Sequence, residues 1–149
     1  MVRLRKTYRI VPGTRRGEFL LPDGGTKVYL NPLERTFYHL FLNHPEGIST
    51  DALPLHKKEL SYLYEHESVY DDKLLMTHKV EALCSEDKTS FYTTVSRIKK
   101  KFVAALGARK AAPYLIKRDK TGLYKTRATL SETSHRSENG RLGSCSRIA

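Results

Sequence analysis

Apolar positions along this chain keep two periods, an alternation near the ends and a helical repeat between them. Phe19-Leu-Leu-Pro22 and Thr26-Lys-Val-Tyr-Leu30 are β-prone runs on either side of Asp23-Gly24-Gly25, a turn signal, and together they predict a hairpin in a small N-terminal sheet. Asn31-Pro32-Leu33-Glu34 predicts a helix start, with Asn31 as N-cap, Pro32 in the first helical position and Glu34 closing a capping box. Leu33, Phe37, Leu40 and Phe41 give that helix one apolar face, and Pro45-Glu-Gly47 ends it. Ile48 stands alone as a short strand. Ser49 and Thr50 then offer caps for a second helical segment reaching about Glu65, in which Pro54 breaks the first turn or marks the true start, leaving Leu60, Leu63 and Tyr64 as the anchored face.

After a polar loop from Ser68 to Lys73, a shorter helix is expected over Leu74 to Cys84 with Leu75, Val80 and Leu83 inward. Asp87 can cap a long helix from Lys88 to Leu106, whose apolar stripe is Phe91, Val95, Ile98, Phe102 and Ala105, and Gly107 is its stop. Turning that stripe inward leaves Lys88, Thr89, Tyr92, Thr93, Ser96, Lys99 and Lys100 outside, with Arg97 at the margin. Tyr114-Leu-Ile-Lys-Arg118 and Leu123-Tyr-Lys-Thr126 flank Asp119-Lys-Thr-Gly122, which predicts a second hairpin with Lys117, Arg118 and Lys120 around its tip. From about Ser131 the chain is too polar to offset the entropy of ordering, and a flexible tail is expected.

Charge changes the picture more than composition does. Net charge is +11 over 149 residues, but residues 17 to 84 hold eleven acidic and six basic groups, whereas residues 85 to 125 hold eleven basic and three acidic. A basic block of this kind, falling on a helix and the hairpin after it, suits a polyanionic partner met by a single face. The expected organisation is a basic arm over residues 1–16, one domain over 17–126 and the tail over 127–149. The fold class is α+β: a small N-terminal β-sheet, a helical core, a long recognition helix and a C-terminal β-hairpin wing, which is the order of a winged helix-turn-helix.

These residues resemble the OmpR/PhoB-type winged-helix effector domain of bacterial response regulators. Val95-Ser-Arg-Ile-Lys-Lys-Lys-Phe102 stands where the family's recognition helix carries I-S-R-L-R-K-K-L, Ile116 to Lys125 aligns with its wing, and Leu30-Asn-Pro-Leu-Glu-Arg-Thr-Phe-Tyr38 matches its opening motif. The resemblance implies base contacts by Tyr92 and Arg97, phosphate contacts by Thr89, Ser96 and Lys99, and a minor-groove wing residue at Lys120. Two departures from the family pattern are expected: a stand-alone effector without a receiver domain, since only a basic arm of about sixteen residues precedes the sheet, and an additional segment from about Ser68 to Cys84. The family's acidic reader is replaced by Tyr92, and the two wing glycines by Thr121 and Leu123.

The functional expectation is sequence-selective double-stranded DNA binding in bacterial transcription regulation, with RNA binding and a winged-helix protein-interaction module as the alternatives. A homodimer on DNA and a protein partner stay open. No catalytic motif occurs, and neither an enzyme activity nor a cofactor is expected. The six histidines lack HExxH or Cys/His spacing, so no metal site is expected either. Cys84 and Cys145 are too few for a disulfide framework, and Cys84 reads as a buried thiol. With no apolar span and a charged start, a cytoplasmic location away from membranes is expected.

Overall fold

The capping box read at Asn31 is present: the Asn31 side chain accepts from the Glu34 amide at 2.9 Å, and the Glu34 carboxylate accepts from the Asn31 amide at 3.1 Å. The helix it starts is the centre of the computed structural model, which describes residues 8–12, 18–21, 26–67 and 72–130. In chain order the elements are β1 (Tyr8–Pro12), β2 (Glu18–Leu20), β3 (Lys27–Tyr29), α1 (Pro32–Asn43), a 3-10 segment (Thr50–His56), α2 (Lys57–Glu67), α3 (Lys73–Leu83), α4 (Thr89–Leu106), α5 (Ala108–Ala111), a 3-10 turn (Ala112–Tyr114), β4 (Lys117–Arg118), β5 (Tyr124–Lys125) and β6 (Ala128–Leu130). The chain is α+β, and among the described residues no helix is long and apolar enough to cross a membrane.

The predicted N-terminal hairpin is β2 paired antiparallel with β3, Phe19 opposite Val28, and the Asp23-Gly24-Gly25 turn itself lies outside the described residues. Two strands join it that the sequence reading leaves out. β1 pairs antiparallel with β2 and parallel with β6, giving the order β3-β2-β1-β6. The domain therefore exceeds the 17–126 span: Ile10, within the expected basic arm, is fully buried, and Ala128, within the expected tail, is 4% exposed. Short β-prone runs inside charged stretches carry too little pattern to be read alone, and only the neighbouring strand gives their backbone groups partners. The rest of the arm and the tail from residue 131 lie outside the described residues.

α1 buries Phe37, Tyr38, Leu40 and Phe41 completely. Pro54 does fall before the regular helix, inside the 3-10 segment, and α2 begins at Lys57 with Leu60 and Tyr64 buried and Leu63 packed at the margin. In α3 the inward positions are Met76, Val80 and Leu83, and Leu75 is 45% exposed, contrary to expectation. The correction follows from spacing, since positions 76, 80 and 83 form one helical row while 75 lies about 100° away from 76. α4 buries Phe91, Thr94, Ile98 and Phe102, with Val95 half-buried and Ala105 exposed. Thr94 fits because its hydroxyl donates back to Ser90 O at 2.8 Å. Cys84 is buried as expected, and burial pushes its thiol pKa up.

Two aromatic chains hold the layers together. Phe19, Tyr38, Phe102 and Tyr114 run from the sheet through α1 and α4, and Phe37, Phe41, Phe91 and Tyr124 run from α1 through α4 into the second hairpin. That hairpin, β4 paired with β5, has shorter arms than its sequence suggests: Tyr114 is in a 3-10 turn and Leu115 and Ile116 are buried rather than paired. Ile48, the lone strand residue, forms an isolated bridge with Tyr124 through two 2.9 Å hydrogen bonds.

The turn before Ile48 depends on glycine. Gly47 has φ of 102°, and a Cβ there would stand 2.9 Å from Leu123 Cβ. Gly47→Ala should therefore lower unfolding stability by about 1–3 kcal/mol, measured by urea denaturation; a variant that unfolds with the parent would contradict the close approach.

Candidate nucleic-acid interface

α4 winds at about 3.6 residues per turn, so burying Phe91, Ile98 and Phe102 brings Tyr92, Ser96 and Lys99 into one outward row and Lys100 beside it. Thr89, Tyr92, Ser96, Arg97, Lys99 and Lys100 are all exposed, while Lys88 and Thr93 are half-buried. The polar, basic outer face expected from the sequence is exposed over the second and third turns. It is not free at the first. Lys88 Nζ donates to Thr50 O at 3.2 Å, tying the start of α4 to the 3-10 segment. Thr89 gives both its amide and its hydroxyl to Asp87, at 3.0 and 2.6 Å, and that hydroxyl is the chief reason the Asp87 carboxyl sits below its ordinary pKa. The N-cap of α4 is Lys88, which makes no side-chain cap, rather than the expected Asp87; Asp87 stands one residue earlier, bonded to Thr89, and leaves a carboxylate at the mouth of the helix.

The three consecutive lysines divide between two faces. Lys99 and Lys100 are exposed, whereas Lys101 turns inward to an ion pair with Glu34, whose side chain is 4% exposed. Glu34 thus caps α1 and holds α4 at once. A buried carboxylate needs this second partner, because the capping amide alone does not neutralise it.

On the hairpin, Lys117, Arg118 and Lys120 are exposed. The turn between the strands is built by Asp119, which accepts from the Thr121 amide and hydroxyl at 2.8 and 2.6 Å and from the Leu123 amide at 3.0 Å, and pairs with Lys125 at 3.1 Å. Those contacts, the Thr121 hydroxyl first, hold the Asp119 carboxyl far below the ordinary carboxylate range. Gly122 takes φ of 91° to close the turn. The hairpin's acid is therefore consumed internally, and its remaining cations face outward.

Tyr124 joins the two basic elements. Its ring meets Phe91 edge-on at 5.0 Å, and its phenol has a raised pKa, first from burial and then from the Tyr92 phenol beside it, with Arg118 acting the other way. Tyr92 of α4 and Arg118 of β4 thus both act on the Tyr124 phenol of β5. Among the described residues, Arg97, Lys99, Lys100, Lys117, Arg118 and Lys120 form no ion pair. Arg109 and Lys110 of α5, also exposed, belong to the same basic block in sequence, but they fall between the two recognisable motifs and no pattern marks them.

Elsewhere, a cleft of about 70 Å³ between α2 and α3 is lined by Ser61, Tyr64, Glu65, Lys73 and Met76, small beside ordinary ligand pockets of ~300–1,000 Å³. The fold also brings together His44, His56 and Glu59, which no sequence spacing marks beyond the three-residue step from His56 to Glu59.

Two outcomes follow. Lys101→Met should cost about 1–2 kcal/mol of stability and Lys99→Met less than about 0.5 kcal/mol, read from chemical unfolding; equal costs would mean that Lys101 is not the inward one. Asp119→Ala should speed hydrogen exchange at the Thr121 and Leu123 amides while leaving α1 protected, and unchanged exchange at those amides would remove Asp119 as the turn's organiser. Comparisons of this chain with protein-family models, with curated proteins and with solved structures found no match.

Proposed function

We propose that this protein is a winged helix-turn-helix protein, similar to the OmpR/PhoB type, that binds double-stranded DNA selectively in transcription regulation. In this reading α4 enters the major groove, with Tyr92 and Arg97 toward base edges, Ser96 and Lys99 toward phosphate and Lys100 beside them, and the β4–β5 hairpin sets Lys117, Arg118 and Lys120 on the flanking backbone or minor groove. The observation that carries it is the approach of Tyr92 of α4 and Arg118 of β4 to the Tyr124 phenol, on two elements whose exposed cations Arg97, Lys99, Lys100, Lys117, Arg118 and Lys120 have no ion-pair partner among the described residues. A helix end occupied by Asp87 favours the second and third turns over the first, so Lys88 and Thr89 support the helix rather than touch the duplex.

The test is an anisotropy titration of duplex DNA at two salt concentrations. Binding should weaken steeply with salt, since each phosphate neutralised releases a counterion. Lys120→Ala should weaken binding to all sequences alike and lower the salt slope by about 1, whereas Arg97→Ala should cost about 1–3 kcal/mol on preferred sites and relax preference. No binding at low salt would end the proposal, and tighter binding of a matched RNA duplex would replace DNA with RNA.

A further inference from the structure

His44 closes α1, and His56 and Glu59 lie one turn apart where the 3-10 segment passes into α2. His44 Nε2 is 2.8 Å from Glu59 Oε1, and His56 Nδ1 is 3.7 Å from the same oxygen. All three ligand atoms lie within 4.8 Å of one another, with the two imidazole rings edge to face at 4.6 Å. A hydrogen bond accounts for His44 and Glu59. It does not account for His56, whose nitrogen faces that oxygen from beyond hydrogen-bond reach.

We propose that His44, His56 and Glu59 form a binding site for a divalent transition-metal ion of the zinc type, clamping the end of α1 to the start of α2. Two imidazole nitrogens and one carboxylate oxygen are a donor set that zinc takes readily, with a fourth position left to water. Tetrahedral bonds of ~2.0–2.2 Å put ligand atoms about 3.4 Å apart. The observed 2.8 and 3.7 Å from Glu59 Oε1 fall on either side of that spacing, and the third separation stays within 4.8 Å. An outer layer is already in place. Glu46 Oε2 lies 3.1 Å from His44 Nδ1, the carboxylate partner that orients a ligating imidazole, and Asn43 Nδ2 donates to the second Glu59 oxygen at 3.1 Å. The three side chains are 22%, 23% and 33% exposed, which keeps them reachable from solvent yet constrained. The clamp would also steady the turn that carries Gly47, whose amide donates to His44 O at 2.9 Å immediately before the Ile48 bridge.

The experiment uses the full chain, stripped by chelator and titrated with zinc chloride in a calorimeter, with melting curves on the same samples. One ion per chain and a rise in Tm are expected. His56→Gln leaves the His44–Glu59 bond intact and should weaken zinc binding by more than about tenfold, whereas His78→Gln, exposed on α3, should not. Zinc binding absent from the parent, or unchanged in His56→Gln, overturns the proposal. Cobalt(II) gives a readout on the unmutated protein: an intense visible spectrum typical of four-coordinate sites is expected, and the weak spectrum of the hydrated ion also overturns it.

Discussion

Tyr124 is held by its backbone and its ring at once, and the hairpin's direction follows from that. A two-stranded ribbon this short is marginal by itself and sets no orientation relative to a helix. Here the Tyr124 backbone exchanges both hydrogen bonds with Ile48, its ring lies on Phe91, and its phenol meets Tyr92. Ile48 can approach because Gly47 brings no Cβ toward Leu123. The chain between α1 and the 3-10 segment, the hairpin and the first turns of α4 are thus one mechanical unit, and the relative placement of the two basic elements depends on it.

The rotation of α4 about its own axis is fixed separately. Phe91, Ile98 and Phe102 fill the core, and the Lys101–Glu34 pair settles which lysine of the run turns inward. Beyond α4, the Tyr38 hydroxyl donates to Tyr114 O at 2.6 Å, and the Thr126 hydroxyl donates to the same carbonyl at 3.0 Å, so both arms leading to the hairpin are pinned to α1. Each is a buried polar group given a partner, and the loss of either partner would leave a desolvated atom unpaired.

What remains outside is a set of exposed cations on α4 and the hairpin, while three acids of these and adjoining elements are engaged elsewhere. Asp119 is committed to its own turn and to Lys125, Asp87 to Thr89, and Glu34 to Lys101. Repulsion among the outward cations is screened within about 8 Å at physiological salt, so the fold tolerates them. A polyanion would gain from them what the fold does not use, which is the physical basis of the proposed DNA-facing surface.

Local chemistry made much of this legible. The capping box at Asn31 and Glu34, the break at Pro54, the hairpin turn at Asp119 to Gly122 and the period of α4 are short-range effects, and each reads directly from neighbouring residues. β1 and β6 were not legible, because a strand's partner is a matter of long-range pairing and Ile10 and Ala128 carry no pattern of their own. Leu75 and Met76 are equally apolar, and only packing against α2 and α4 decides which is buried. The same holds at the candidate sites. By itself the sequence determined which residues carry charge and which elements bear them; tertiary structure alone decided that Lys101 turns in, that Tyr92 meets Tyr124, and that His44 finds His56 and Glu59, because those meetings join parts of the chain that only the shared core brings within reach.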